Sequence, residues 1–293
     1  MGYIELKTGQ VALRSQKTKS AEFTMPASGD WTSVTYGNGK YVAVAKKDSA
    51  GAYSPDGISW TTMTLPASRK WKSVTYGNGK FVAVAQTSSA GAYSTDGITW
   101  TEMSMPENRD WESVTYGNGK FVAVAGLGYN SAYSTDGITW SEMSVSTNGL
   151  DLVTYGNGTF VAIMSNSNKG AYSTDGISWT TMSIPTNGWR SITYGDGKFV
   201  AIAYNSSGGM YSTDGISWTT MSMSAVRQWQ SVTYGNGKYV AVAANSSSGA
   251  YSADGITWVE FALPASRRWQ SVTYGNDKFV AVAYSSNKGA YFE

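Results

Sequence analysis

Six tryptophans, Trp31, Trp71, Trp111, Trp189, Trp229 and Trp269, are each followed by a polar residue that changes from copy to copy: Thr32, Lys72, Glu112, Arg190, Gln230 and Gln270. A further copy reads Leu150-Asp151. An aromatic ring beside varied polar groups can stack on a sugar while its neighbours bond the hydroxyls. Arg69, Arg109, Arg227 and Arg268 stand close by in sequence and, with Arg190, complete a candidate ligand-binding set. The competing reading is structural: six near-identical tryptophans wedge between repeated units, and their uniformity favours this role. Both roles hold together if one ring edge stays exposed.

Other chemistry is restricted by what is missing. The chain has no cysteine and no histidine, which removes thiolate nucleophiles, imidazole bases and the usual zinc ligands together. No EF-hand spacing occurs, and neither a metal nor a cofactor is expected. Hydrolysis of a glycoside needs two placed carboxylates or their substitute. The acidic residues available beside the varied positions, Asp30, Asp48, Glu107, Asp110, Glu112 and Asp151, are scattered and lack inserted loops that would build a cleft. No catalytic residue is therefore assigned.

These residues are carried by a repeat. The stretch Trp71-Lys72-Ser73-Val74-Thr75-Tyr76-Gly77-Asn78-Gly79-Lys80-Phe81-Val82-Ala83-Val84-Ala85 recurs seven times, with its tyrosine at 36, 76, 116, 155, 194, 234 and 274. A fixed period of this kind marks a repeat architecture. Within residues 71–110, alternation over Ser73–Tyr76 reads as a strand, and Gly77-Asn78-Gly79 as a type I′ hairpin turn. Phe81–Ala85 is a second strand, Gly91–Ser94 a third and Thr99–Met103 a fourth. Four short antiparallel strands per unit is one propeller blade. The expected fold is all-β: a seven-bladed β-propeller of four-stranded blades over residues 21–293. The chain ends inside the third strand of the seventh blade, so Ala21–Met25 must supply the missing fourth and close the ring.

Six units also carry Ser-x-Asp-Gly-Ile-(Ser/Thr)-Trp, with aspartates at Asp56, Asp96, Asp136, Asp175, Asp214 and Asp254. The pattern resembles the Asp-box, or BNR repeat, of sialidase-like β-propellers, although one residue is absent between Asp and Gly. The repeats also look like those of bacteriophage virion and bacterial surface proteins. An Asp-box is a fold device: each carboxylate can bond the N–H groups of its own turn. Membership of a sialidase-like family would imply an arginine triad, an acid and a carboxylate-activated tyrosine.

Antiparallel strands put the Gly-Asn-Gly and Asp-Gly turns on one face, where the sequence barely changes. The opposite face carries the variable loops, such as Lys46–Ser49 and Gly126–Asn130. Divergence confined to one face is expected of a binding surface on a fixed scaffold. The favoured reading is a non-catalytic binding or adhesion propeller for a surface glycan or receptor. Sialidase-like hydrolysis and a purely structural virion or surface scaffold are the alternatives. Residues 1–20 lie outside the repeat; Tyr3–Leu6 and Val11–Arg14 suggest a hairpin arm that docks on a larger assembly such as a phage tail, fibre or capsid, or else a disordered tail. A net charge of +2 argues for neither nucleic acid nor an anionic membrane. No segment is apolar enough to span a bilayer, and the N-terminus lacks the apolar core of a signal peptide. The expected location is a virion or a cell surface.

Overall fold

A computed structural model describes residues 20–46, 49–126, 128, 130–145 and 147–293. The proposed arm over 1–20 and the acidic Asp48 therefore lie outside the described residues, save Ser20. The described chain is an all-β, seven-bladed propeller with 26 antiparallel strands. In the second blade, Lys70–Gly77, Lys80–Gln86, Ser88–Ser94 and Thr101–Arg109 pair in that order. The first strand of each blade lines the axis and the fourth is outermost. Asn78 (φ 46°) and Gly79 (φ 74°) give the hairpin its two positive φ values, as a type I′ turn requires.

The ring closes where the repeat demanded it. One strand, Ser20–Gly37, serves two blades. Its first part pairs with Ser286–Phe292, with Ala21 opposite Tyr291 and Phe23 opposite Gly289, and so completes blade seven. Its last part pairs with Lys40–Lys46 as the axial strand of blade one. Thr219–Gly235 likewise runs from the outer edge of blade five to the axis of blade six. These links are longer strands than the repeat pattern indicated.

Each blade packs on the next through side chains that alternate along the second strand. Val82 and Val84 of blade two join Trp111, Phe121 and Ala123 of blade three. Ala83 and Ala85 meet Val42, Val44 and Met63 of blade one. Valines thus fill the space left by the alanines of the following blade, and that contrast in size lets strongly twisted sheets interlock. Among the described residues there are seven such clusters, one at each blade interface. The closing interface gathers Phe23 and Met25 with Val280, Val282 and Tyr41.

A second ring of contacts lies near the axis. The glycine of every Tyr-Gly pair sits under the tyrosine ring of the next blade, from Gly37 under Tyr76 round to Gly275 under Tyr36. A side chain at any of them would collide with that ring. Glycine is therefore required here for close approach.

The Asp-Gly turns are built alike in six blades. In one of them, Asp254 Oδ1 accepts hydrogen bonds from Ile256 N at 2.8 Å, Thr257 N at 2.7 Å and Ser252 Oγ at 2.9 Å. The corresponding bonds recur at Asp56, Asp96, Asp136, Asp175 and Asp214. Because the carboxylate holds the two N–H groups that follow the glycine, Thr99 and Trp100 belong to the turn, and the fourth strand starts at Thr101 rather than Thr99. Backbone donors from Thr257 and Ile256 lower the Asp254 carboxyl to about 2. At Asp175 burial pushes the other way, but the bonds from Ser178 and Ile177 outweigh it and hold the group at about 2.

A depressed carboxyl contributes stability that is present above its unfolded value of 3.8 and lost as pH falls through the folded one,. All six turns share the sign. The urea midpoint should therefore fall steeply between about pH 4 and pH 2. In Asp175→Asn, which keeps an acceptor but does not titrate, the fall should be shallower. An acid limb unchanged by the substitution would show that these turns do not couple to folding.

Candidate functional site

The residues after the tryptophans meet at one place. Thr32, Lys72, Glu112, Asp151, Arg190, Gln230 and Gln270, one from each blade, line a single cavity of about 330 Å³ at the axis, on the variable face. Each stands where the chain enters the axial stretch of its blade and lines the channel, so ring closure brings together seven positions spread over most of the chain. No single window of sequence shows their convergence.

One level deeper, the following serines seal the channel wall. Axial strands are edge strands, and their free N–H groups need acceptors. Val74 N donates to Ser33 Oγ of the preceding blade at 3.2 Å, and the same bond joins Val114 to Ser73, Val153 to Ser113, Val232 to Ser191, Val272 to Ser231 and Val34 to Ser271. The circuit breaks once, because blade four has Leu152 in the serine position and offers Ile192 no hydroxyl. Blade four also carries Leu150 in place of the tryptophan. The symmetry expected from the near-uniform repeat thus fails at one blade.

The charges of the funnel gather beside that break. Lys72 Nζ lies 2.8 Å from Glu112 Oε2, and Gln86 donates to the same carboxylate. Ser165 N donates to Asp151 Oδ2 at 2.7 Å. Arg190 Nε donates to Gln230 Oε1 at 2.8 Å, and Gln230 is itself buried. Burial raises the Asp151 carboxyl, the Ser165 amide lowers it again, and Glu112 adds to the rise. Burial also lowers Arg190, against the pull of Glu112. A carboxyl held above its ordinary value opposes folding at neutral pH. A carboxyl perturbed by burial and a like charge in a cleft marks a candidate functional site.

The tryptophans themselves correct the stacking expectation. Trp31, Trp71, Trp111, Trp189, Trp229 and Trp269 are each no more than 2% exposed. Each indole N–H is taken by a backbone carbonyl, as in Trp111 to Ser88 of the preceding blade at 3.1 Å and Trp269 to Ser246 at 3.0 Å. They are the wedges between blades, and no ring face is left for a sugar.

Three of the arginines are also committed elsewhere. Arg69 pairs with Glu102 at 2.6 Å, Arg109 with Glu107 and with Glu142 at 3.1 Å, and Arg227 with Glu260 at 2.7 Å. Arg267 pairs with Glu22 on the closing strand. Each ties a linker to the outer strand of its own blade. These half-exposed pairs each contribute well under about 1 kcal/mol. The sequence held a signal for them: the blades with arginine two places before the tryptophan have glutamate in the fourth strand, and the other three have Thr62, Thr181 and Thr220. Arg190 and Arg268 remain in the candidate site. The six Asp-box carboxylates bond their own turns on the far face, away from the funnel. Among the described residues no three acidic side chains gather where they could hold a metal ion.

A family model described as the DUF6242 beta propeller domain matches residues 67–188. No curated protein sequence matches the chain. Among solved structures, a streptogramin B lyase superposes with a TM-score of 0.85 at 13% identity, covering 96% of this chain and 100% of its own. A catalytically inactive histidine-to-alanine variant of virginiamycin B lyase from Staphylococcus aureus, solved with quinupristin, gives 0.83 at 15%, covering 94% and 100%. YCF48 bound to D1 peptide gives 0.73 at 12%, covering 96% of each chain. At these identities the similarity establishes the propeller fold.

Proposed function

We propose that this protein is a non-catalytic binding propeller that takes a surface glycan, or the glycan of a receptor, into the axial funnel. One observation carries the reading: the side chains that vary most between otherwise repeated blades all face one cavity. A few convergent polar groups in a concave site fix orientation and specificity. Amides, carboxylates and cations packed side by side suit a ligand rich in hydroxyls, since each sugar hydroxyl both donates and accepts.

Hydrolysis is the second reading, and the presence of Asp151 and Glu112 in one cavity favours it, because glycoside cleavage needs two placed carboxyl groups,. Against it, Glu112 is already occupied by Lys72 and Gln86. The lyase chemistry of the fold relatives transfers poorly too: one histidine-to-alanine change inactivates virginiamycin B lyase, and this chain has no histidine. Display on a phage virion or a cell surface, with residues 1–20 as the anchor, fits a binding face turned away from the chain termini. Removal of residues 1–19 should then prevent incorporation into particles without unfolding the propeller.

Screening the full chain on a glycan array, beside Asp151→Asn, tests the reading. Binding by the wild type that falls at least about tenfold in the variant, with stability at neutral pH equal or higher, is expected; tenfold corresponds to about 1.4 kcal/mol. Unchanged binding in the variant would remove the funnel as the site. Turnover of a fluorogenic glycoside would favour the hydrolase.

A further inference from the structure

Beside the funnel, across blade five, lies a second cavity of about 280 Å³ that opens on the same face. Its lining includes Arg190, Arg268, Asn166, Gln230 and Tyr204, and no acidic side chain. Two guanidinium groups therefore share one cavity with no carboxylate among its described lining residues to neutralise them.

Both are held in place. Arg268 lies over the Tyr284 ring, 4.2 Å from its centroid, a contact that fixes the plane of a guanidinium. The Tyr284 phenol is in turn hydrogen-bonded to Asp30, which also accepts from Ser285 Oγ at 2.7 Å. Arg190 is fixed through Nε by the buried Gln230. The two cations come near enough for each to feel the other: Arg268 opposes the charge on Arg190. Glu112 and Asp151 offset this only from the funnel side, and Asp151 already accepts from Ser165. Tyr204 is 42% exposed at the edge of the same cavity. Its ring is the exposed aromatic wall of the cavity; Trp189, also in the lining, is buried.

We infer that this cavity is a subsite for the carboxylate of an acidic sugar, a hexuronate residue in a longer saccharide, with the carboxylate between Arg190 and Arg268 and the pyranose ring against Tyr204. Planar forked donors match a carboxylate better than any other pair of side chains. The cavity borders the funnel through Arg190, Gln230 and Ser165, so one chain of sugars can occupy both. The inference rests on the glycan reading above and narrows it to acidic glycans.

The test is calorimetric titration of the full chain with a galacturonate trisaccharide and with the same trisaccharide after reduction of its carboxyls to alcohols. The wild type should bind the acidic form at least about tenfold more tightly, a difference of about 1.4 kcal/mol. Arg268→Gln, at an exposed position that leaves the core intact, should lose that preference and bind the two forms alike. Arg268→Lys should keep part of the preference, since it restores charge without the fork. Equal binding of both sugars by the wild type, or a preference that survives in Arg268→Gln, overturns the subsite and leaves the glycan reading standing. If the wild type binds neither sugar, the subsite falls, and a blank glycan array then removes the glycan reading with it.

Discussion

Deleting residues 1–25 should leave a chain that no longer unfolds as one cooperative unit. The segment Ser20–Met25 is the outer strand of the seventh blade, reached only after the chain has gone round the axis. Phe23 and Met25 are buried in the closing interface, and Phe23 stacks on Trp60 of blade one with centroids 5.5 Å apart. The ring of Phe23 also covers Gly289, where a side chain would collide with it. Burial of two such side chains contributes about 1.5–3 kcal/mol each, against a total stability of about 5–15 kcal/mol for a typical domain. Their loss would also bare the long edge of Ser286–Phe292, an invitation to aggregate. Urea unfolding with size-exclusion chromatography is the measurement. Deletion of residues 1–19 should change neither midpoint nor elution, whereas deletion to 25 should lower or abolish the transition. A cooperative monomer with the original midpoint after the longer deletion would mean that the ring is not closed by this strand.

Gly117→Ala should have the next largest effect. Its new Cβ would lie 2.0 Å from Cγ of Tyr155, in the ring of Tyr-Gly contacts near the axis. Tyr155 cannot retreat freely, because it packs on Phe160 with centroids 4.6 Å apart. Overpacking of this kind costs about 1–3 kcal/mol or more. Gly119→Ala is the control. That residue has φ +74° and no atom within 4 Å of the added carbon, so its cost is conformational alone, about 1–2 kcal/mol. Chemical denaturation should place the Gly117 variant clearly below the Gly119 variant. Equal losses would mean that the inter-blade contact at Gly117 is slack.

Most of the scaffold could be read from the chain because each signal occurs many times. The Asn-Gly turns, the Val/Ala alternation and the complementary ends around Phe23 and Tyr291 all act within one blade or at one seam. The start of the fourth strand was misplaced at Thr99, since a side-chain carboxylate, not propensity, decides where the turn ends. The site was legible only in part. The residues following the tryptophans were visible as varied, but their meeting depends on a closed ring that no local pattern displays. The tryptophans looked like stacking platforms because type and spacing do not report burial; the blade interface consumes them. The break at Leu150 and Leu152 was visible as letters, yet its consequence, a missing hydroxyl for Ile192, belongs to the neighbouring blade.

On the proposed reading, stability and recognition are divided between two faces. The turns of one face repeat the same bonds and hold the ring. The other face gathers its differences at the axis, where burial works against the charges of Asp151 and Arg190. The most direct measurement is glycan binding by two single tryptophan substitutions, one on each face. Gln270→Trp fills the funnel, while Thr95→Trp adds the same bulk to an exposed Asp-Gly turn opposite, at a position that is Pro55 and Ala253 in other blades. Loss of binding in Gln270→Trp with full binding in Thr95→Trp is expected. Binding that survives in Gln270→Trp and disappears in Thr95→Trp would put the ligand on the wrong face and contradict the funnel as the site.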